Sequence, residues 1–226
     1  MIRFANDLDE LLGGGITPGV ITHVFGPPAS GKTNLALMAT YNALGSGKVI
    51  YVDPEGGFNI ERLRQISAEK TEEVLNNTML VKPMSFEELG IALEKLDDIL
   101  CSMPVSLIVV DSIAMLYRME EDKDVRKLGR MLATLLRLAR KHNIAVLLTN
   151  QVYSDYETKE IRPIGGQITE YFTKNIIELT RDDQNFRYAI LRRHVSKHEG
   201  ETLKFRIVER GIETIGSYCV TKNPMD

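Results

Sequence analysis

Residues 26–33 read Gly-Pro-Pro-Ala-Ser-Gly-Lys-Thr, which matches the pattern G-x-x-x-x-G-K-[ST] of a phosphate-binding loop. An apolar run that favours a strand, residues 20–25, comes directly before it, and a run that favours a helix, residues 34–40, follows it. A simple glycine turn between a strand and a helix is the alternative interpretation. The complete pattern in this strand–loop–helix context favours a nucleotide-binding loop.

The residue types of this loop suit phosphate chemistry. Gly26 and Gly31 allow the backbone to curl so that several N–H groups point inward, and the following helix adds the positive end of its dipole. Lys32 can reach the terminal phosphates as a point charge, and the Thr33 hydroxyl is a hard oxygen ligand of the kind that Mg²⁺ prefers. The predicted nucleotide-binding residues are Gly26, Pro27, Pro28, Ala29, Ser30, Gly31, Lys32 and Thr33, with Thr33 also a metal ligand.

The composition indicates a globular protein and excludes several classes. The chain has 226 residues, 43% of them hydrophobic, which predicts a single domain over residues 1–226. Its formal net charge of −3 means that any nucleic-acid contact must come from local basic patches. Two distant cysteines, Cys101 and Cys219, exclude a disulfide scaffold or a cysteine zinc cluster, and we expect both to be buried. No stretch is apolar enough to span a bilayer and no signal peptide is apparent, so we expect a cytoplasmic protein with no membrane partner.

The hydrophobic pattern alternates between strands and helices along most of the chain. Strands are predicted at residues 48–53, 77–81, 106–111 and 144–149, and helices at 5–12, 59–69, from 85 to about 100, and 124–142. After a polar, aperiodic segment at 153–160, further strands are predicted at 175–180, 187–193 and 203–208. This order predicts an α/β fold with a mostly parallel central sheet flanked by helices and with added antiparallel C-terminal strands.

Three polar residues follow predicted strands, and ligands in open α/β sheets bind outside the carboxyl ends of strands. Asp111 suits the acid that holds magnesium through water, although a polar strand end is the alternative. Glu55 can orient and deprotonate an attacking water, or it can be an exposed turn residue. Gln151 can sense the terminal phosphate and pass its presence to the following loop, or it can be structural. The predicted catalytic residues are Glu55, Lys32 and Gln151.

An ordered series of segments resembles the RecA-like recombinases, most closely their archaeal and eukaryotic branch. Besides the phosphate-binding loop, the segments are LDELLGGGI (8–16), YVDPEGGF (51–58), ERL (61–63), LIVVDS (107–112), LYR (116–118), LLRLA (135–139), TNQV (149–152) and PIGG (163–166). They cover residues 5 to about 170 in order, which is far more specific than any single motif. The resemblance implies a RecA-type P-loop NTPase core that binds ATP and Mg²⁺.

The resemblance also implies roles for individual residues. Glu55 corresponds to the family's water-activating glutamate, and Asp111 corresponds to the Walker B acid, which holds Mg²⁺ through water. Gln151 corresponds to the glutamine that links the terminal phosphate to DNA binding. Arg62 corresponds to the arginine that stacks on adenine, although spacing alone favours a solvated helix residue.

DNA contacts are predicted in two parts of the chain. The segment 152–164 corresponds to the family's second DNA-binding loop, and backbone N–H groups at the following Gly165 and Gly166 can hold DNA phosphates. A basic cluster near the C-terminal strands, interleaved with Phe186 and Tyr188, can bind DNA, contact a neighbouring subunit's nucleotide or be plain surface. The predicted DNA-binding residues are Lys159, Arg162, Gly165, Gly166, Arg192, Arg193 and Lys197.

Departures from the family pattern limit the expected activity. The segment 119–124, which corresponds to the first DNA-binding loop, is short and acidic, and acids repel a phosphate backbone. The chain begins close to the phosphate-binding loop, so we expect no separate N-terminal domain and no stable filament of this protein alone. A helical stripe of basic residues is interpreted as a solvated face; it comprises Arg126, Arg130, Arg137 and Lys141.

The favoured hypothesis is an ATP-binding protein of DNA repair and homologous recombination. It predicts a DNA-binding accessory of a full-length recombinase, with a preference for single strands and a place in the cytoplasm at the nucleoid. It also predicts weak ATPase activity, ATP acting mainly as a switch, ATP-dependent dimers or oligomers, and other recombination enzymes as further partners. Two alternatives stay open, namely a non-hydrolysing nucleotide-gated adaptor and a RecA-superfamily signalling ATPase of the clock-protein type.

Overall fold

A nine-stranded sheet forms the centre of the part of the chain that the computed structural model describes, which is residues 1–4, 7–122, 124–154 and 161–219. The strands are β1 (Ile21–Phe25), β2 (Lys48–Val52), β3 (Thr78–Val81), β4 (Val105–Val110), β5 (Ala145–Asn150), β6 (Val152–Ser154), β7 (Ile161–Pro163), β8 (Asn175–Arg181), β9 (Arg187–Arg193), β10 (Glu201–Val208) and β11 (Gly211–Cys219). Strands β6 and β7 form a separate antiparallel pair.

The strand order of the large sheet is β11-β10-β9-β8-β1-β5-β4-β2-β3. The neighbours from β3 to β8 pair in parallel, and those from β8 to β11 pair antiparallel. Strand β1 lies between β5 and β8, so that Phe25 is in register with Asn150 on one side and with Glu178 on the other. The carboxyl ends of β1, β4 and β5 therefore meet at one edge of the sheet, which is where ligands bind in such folds.

Helices cover both faces of this sheet. They are α1 (Leu8–Leu11), α2 (Lys32–Asn42), α3 (Ile60–Ser67), α4 (Thr71–Asn76), α5 (Phe86–Ser102), α6 (Ala114–Met119), α7 (Val125–His142) and α8 (Gly166–Phe172). Side-chain caps fix several starts: Asn59 accepts from the Arg62 N–H, Ser85 from the Glu88 N–H and Asp124 from the Arg126 N–H. Helix α7 ends at His142, and the following Asn143 has a φ of 50°, in the left-handed region that asparagine tolerates.

The alternation of side chains along the central strands divides the core into two clusters. Val24, Tyr51 and Val109 face the side covered by α1 to α4, whereas Ile50, Ile108 and Val110 face α5, α6 and α7. The near-continuous apolar runs of β1, β4 and β5 follow from this burial on both faces.

The predicted α/β fold with a mostly parallel sheet and antiparallel C-terminal strands is confirmed. Three details differ from the sequence predictions. Strand β11 and helices α4 and α6 were not predicted, and the polar segment expected as a loop begins within β6, which pairs with β7. Cys101 is exposed rather than buried, because it follows Leu100 at the edge of the buried stripe of α5. Cys219 lies at the end of β11, where its side chain is outside the described part.

Among the described helices, none is both long and apolar enough to cross a membrane. On helix α7, two members of the predicted solvated stripe, Arg137 and Lys141, form ion pairs with Asp97 of α5 at 2.9 Å each. Together with His142, they hold the pKa of Asp97 well below its usual range.

Candidate nucleotide-binding site

The phosphate-binding loop connects β1 to α2 at the carboxyl edge of the sheet. A side chain at Gly26 has no room, because an added Cβ would lie 2.3 Å from the Leu179 carbonyl oxygen and 2.9 Å from Ser30 Oγ. The backbone then takes left-handed conformations at Ala29 (φ 60°) and Gly31 (φ 108°). These turns curl the loop over the first residue of α2, as the sequence pattern predicts.

Lys32 is the first residue of α2, and its side chain folds back onto the phosphate-binding loop. Its Nζ donates to the carbonyl oxygens of Gly26 at 2.8 Å and of Pro27 at 2.9 Å. Burial lowers the pKa of Lys32, and the nearby carboxylates of Asp111 and Glu55 oppose this by raising it. The ammonium group therefore lies on the concave side of the loop, between the loop carbonyls and two acids.

Asp111 lies buried at the end of β4, with its carboxylate fixed by hydroxyl groups from neighbouring elements. Tyr51 donates to Oδ2 at 2.8 Å and Thr149 donates to Oδ1 at 2.5 Å. Burial raises the pKa of Asp111, whereas hydrogen bonds from Thr149, Tyr51 and Thr33 lower it. Burial and the negative charge of Asp111 also raise the pKa of Tyr51 well above its usual value. The bond from Thr33 brings the two predicted metal ligands together.

Glu55 and Gln151, from separate strand ends, are in direct contact. Gln151 Nε2 donates to Glu55 Oε1 at 2.9 Å, and the Ser112 hydroxyl donates to the same oxygen. Arg118 donates to Gln151 Oε1 at 3.0 Å, which fixes the orientation of the amide. The loop that carries Glu55 is held by Asp53, whose carboxylate accepts from the backbone N–H groups of residues 57 and 58.

Arg62 lies on α3, half-buried against the start of α2 and the turn between β10 and β11. Its guanidinium donates to Asn34 Oδ1 and to the carbonyl oxygens of Val208, Glu209 and Gly211. Burial lowers the pKa of Arg62. The alternative of a solvated helix arginine, which spacing alone favours, does not fit these contacts, whereas the prediction that Arg62 stacks on adenine stays a prediction.

The residues present fit a nucleoside triphosphate with Mg²⁺. Gly26 lets the loop pack closely against β8, and Ser30 Oγ is buried with no hydrogen-bond partner among the described residues, which leaves it able to donate to a phosphate. Hydroxyl and carboxylate oxygens at Thr33 and Asp111 are the hard ligands that Mg²⁺ prefers. The loop and Lys32 would hold the phosphates, and Thr33 and Asp111 would hold the metal, directly or through water.

Residues of the predicted second DNA-binding loop adjoin this site. The backbone N–H of Ile164 donates to the Gln151 carbonyl at 3.0 Å, and β6 pairs with β7 directly beyond. Arg162 is exposed on β7, and Gly165 (φ 84°) and Gly166 (φ 49°) turn the chain into α8. Lys159 lies outside the described residues.

The predicted C-terminal basic residues do not form one cluster. Arg192 is paired with Glu178 at 2.6 Å, and Arg193 donates to the Glu170 carbonyl at 2.9 Å. Arg193 lines a groove of about 570 Å³ beside α8, whose other lining residues include Arg140, Tyr171 and Lys174. Lys197 lies in a different cleft, beside Asp9 and Glu10, and bonds Glu201 at 3.3 Å.

Comparison with known proteins agrees with this geometry. A family model described as Rad51 matches residues 2–215 of the chain. The chain belongs to the Rad51 family. The similarity extends to archaeal RadB proteins.

Several RadB proteins of the Rad51 family are similar to this chain along most of their length. The DNA repair and recombination protein RadB of Methanosphaera stadtmanae is 42% identical over 220 residues, covering 94% of this chain and 95% of that protein. RadB of Methanocaldococcus jannaschii is 42% identical, with 92% and 99% covered, and RadB of Pyrococcus abyssi is 41% identical, with 92% and 91% covered. A solved structure titled as the RadB recombinase superposes with a TM-score of 0.84 at 42% identity, covering 96% of this chain and all of that one.

Sequence reasoning missed several side chains that complete this Rad51-family site. Tyr51 and Thr149 immobilise Asp111, and Ser112 and Arg118 contact Glu55 and Gln151. Thr149 and Ser112 lie within two residues of a predicted site residue, which is a signal that could have found them, whereas Tyr51 lies four residues before Glu55. Arg118 lies in the LYR segment that resembles the recombinases, although the hydrophobic pattern did not predict α6, the helix that carries it.

Proposed function

We propose that this chain is an ATP-dependent switch that binds DNA and assists a full-length recombinase. Membership of the Rad51 family supports a role in DNA repair and recombination. The same membership favours this function over a clock-type signalling ATPase. In this proposal residues 1–226 act as one RecA-like ATPase domain, with ATP and Mg²⁺ bound at the phosphate-binding loop.

The observation that carries the proposal is the position of Gln151 between the two sites. Its side chain bonds the carboxylate of Glu55, and its backbone carbonyl accepts from Ile164 of the segment that continues into α8. Ile164 in turn is held by Asn150 Nδ2 at 2.8 Å and by Thr169 Oγ1 at 3.2 Å, both bonds going to its carbonyl oxygen. A displacement of Gln151 therefore alters the hydrogen bonds that position the β6–β7 pair and α8.

The residues at the loop can perform hydrolysis in addition to binding. Lys32 neutralises charge on the terminal phosphates, and Mg²⁺ held at Thr33 and Asp111 would supply further neutralisation. Glu55 holds the water for attack and accepts its proton, with Ser112 and Gln151 orienting the carboxylate. We propose weak hydrolysis, because RecA-like sites are completed by a neighbouring subunit.

The proposed DNA surface follows α8 from the β6–β7 pair to the groove at Arg193. Arg162 and the turn at Gly165 and Gly166 lie at its first end, with Lys159 in the adjoining segment. Arg140, Lys174 and Arg193 line the groove at its second end together with the exposed Tyr171. Cations beside an exposed aromatic ring suit single-stranded DNA, whose phosphates and bases both need partners. Arg192 and Lys197 contribute less in this proposal, because each is paired with an acid.

The test measures single-stranded DNA binding with and without ATP and Mg²⁺, at two salt concentrations. We expect wild-type DNA affinity to change at least fivefold on adding MgATP, the range of ordinary allosteric coupling, and to fall as salt rises. The Gln151→Ala variant should bind both ligands but lose the coupling, whereas the control Gln184→Ala, at an exposed turn, should keep it. If MgATP still changes the DNA affinity of Gln151→Ala, the proposed role of Gln151 as a switch is wrong. If the wild-type protein does not bind DNA at low salt, the DNA-binding role is wrong and only an adaptor that binds protein partners is left.

The Glu55→Gln variant separates hydrolysis from nucleotide binding. The amide keeps the size of the side chain but cannot accept a proton, so we expect ATP turnover to fall at least a hundredfold. Nucleotide affinity should stay within threefold of wild type, since Glu55 is not predicted to contact the phosphates. Turnover is measured as DNA-stimulated phosphate release, and affinity by calorimetry. Equal turnover in both proteins would rule out Glu55 as the base; undisturbed repair function in the variant would favour the adaptor alternative.

A further inference from the structure

The edge of the Arg62 guanidinium is completely occupied. Nε and Nη2 both donate to Asn34 Oδ1, at 2.9 and 2.7 Å. Nη2 also donates to the Val208 and Gly211 carbonyls at 2.7 and 3.2 Å, and Nη1 donates to Gln65 Oε1 at 2.7 Å and to the Glu209 carbonyl at 3.0 Å. All three nitrogens thus have partners within the protein.

A guanidinium with its edge occupied can bind a ligand only through its flat faces. These faces are weakly hydrated and pack well on aromatic rings, whereas phosphate recognition uses the N–H edge. The geometry of Arg62 therefore suits contact with a nucleotide base and is unsuited to contact with the phosphates.

Asn34 links this arginine to the phosphate-binding loop. It follows Thr33 on α2, it is 7% exposed, and its Oδ1 accepts both donors of one edge of the guanidinium. Its Nδ2 donates to the Gly211 carbonyl at 3.4 Å. Gly211 has a φ of 116°, and an added Cβ would lie 2.9 Å from Met38 Sδ of α2, so the β10–β11 turn can approach α2 only with glycine here. Asn34 is thus the side chain that joins α2, Arg62 and this turn.

We propose that Asn34 is a positioning residue for the nucleotide base. It fixes the plane of the Arg62 guanidinium, so that a face of the group packs on the base of a nucleotide whose phosphates lie in the loop. This inference rests on the proposed function, in which the loop binds ATP. It adds to that function a side chain that touches no part of the nucleotide and yet sets the contribution of the base to affinity.

The test compares two ligands that differ in the base. MgATP carries phosphates and adenine, whereas Mg-tripolyphosphate carries phosphates alone. In Asn34→Leu, which keeps the branching of the side chain but removes the acceptor, we expect MgATP affinity to fall about tenfold and tripolyphosphate affinity to stay within twofold. Asn34→Asp keeps an acceptor for both N–H groups but loses the donor to the Gly211 carbonyl, so its MgATP affinity should fall less than that of Asn34→Leu. Should Asn34→Leu not fold, Asn34→Ala carries the same expectation.

A double-mutant cycle with Arg62→Ala distinguishes positioning from an independent effect. If Asn34 acts through Arg62, the double variant should bind MgATP no more weakly than Arg62→Ala alone. Additive losses, unchanged MgATP affinity in Asn34→Leu, or an equal loss of tripolyphosphate affinity would each overturn the inference. Failure of the proposed function looks different, because the wild-type protein would then bind neither ligand.

Discussion

The Lys32→Ala variant is expected to lose MgATP binding by about a hundredfold. Lys32 is the cation on the concave side of the phosphate-binding loop, where its Nζ lies between the Gly26 and Pro27 carbonyls and faces Asp111 and Glu55. A charged hydrogen bond contributes about 1.5–3 kcal/mol, and loss of the cation also leaves the two acids uncompensated beside the phosphates. Both effects weaken the binding of a polyanion.

This prediction is checked by calorimetric titration and by the rise in melting temperature that MgATP produces, since a ligand of the native state stabilises it. Lys95→Ala, on the exposed side of α5, removes the same charge away from the loop and should bind like wild type. An unchanged melting-temperature rise in Lys32→Ala would contradict the assignment of the loop.

The second large effect concerns the dependence of stability on pH at His23. This residue lies fully buried in β1, and neither ring nitrogen has a hydrogen-bond partner in the described part of the chain. Burial lowers the pKa of His23 from 6.5 to about 3. Below pH 6.5 the unfolded chain therefore binds a proton at this residue that the folded chain rejects, so stability falls with falling pH until about pH 3.

The free energy of unfolding is expected to fall by about 2 kcal/mol between pH 7.5 and pH 5. The loss grows by about 1.4 kcal/mol per pH unit, toward roughly 5 kcal/mol by pH 3. His23→Leu should remove this loss of stability. It should also be more stable than the wild type at pH 7.5, since it has no buried ring nitrogen without a hydrogen-bond partner. Urea unfolding at pH 7.5 and 5 measures both. His198→Leu, at an exposed position, should keep the wild-type pH dependence. An identical pH dependence in His23→Leu and wild type would show that His23 is not held neutral.

Much of the fold and of the site was predictable because the signals are local. The phosphate-binding loop is contiguous, and Glu55, Asp111 and Gln151 each follow a predicted strand. The parallel order of the sheet then brings them to one edge, where Gln151 Nε2 donates to Glu55 Oε1 at 2.9 Å.

The remainder depends on contacts that no local pattern encodes. Spacing alone favours a solvated Arg62 as the alternative to an adenine contact, yet its partners at Val208 and Gly211 are 146 and 149 residues away in sequence. The residues of β11 that alternate outward, Glu213, Ile215 and Ser217, mix apolar and polar types, so the period-2 signal of a strand is weak. Lys197 and Arg193 are close in sequence but lie in different clefts, because the fold of the chain separates them. A cluster of basic residues in the sequence does not show this separation.

The central place of β1 has a consequence for biosynthesis. The strand is made early, but its neighbours are β5 (Ala145–Asn150) and β8 (Asn175–Arg181). At synthesis rates of about 5–20 residues per second, the nascent chain waits roughly ten to thirty seconds before both partners exist. Until then the buried segment 21–25 has no sheet to join, because these pairings span more than half of the chain. The protein is therefore expected to fold late and non-locally, and the nascent chain is the form of this protein most exposed to aggregation and most dependent on chaperones.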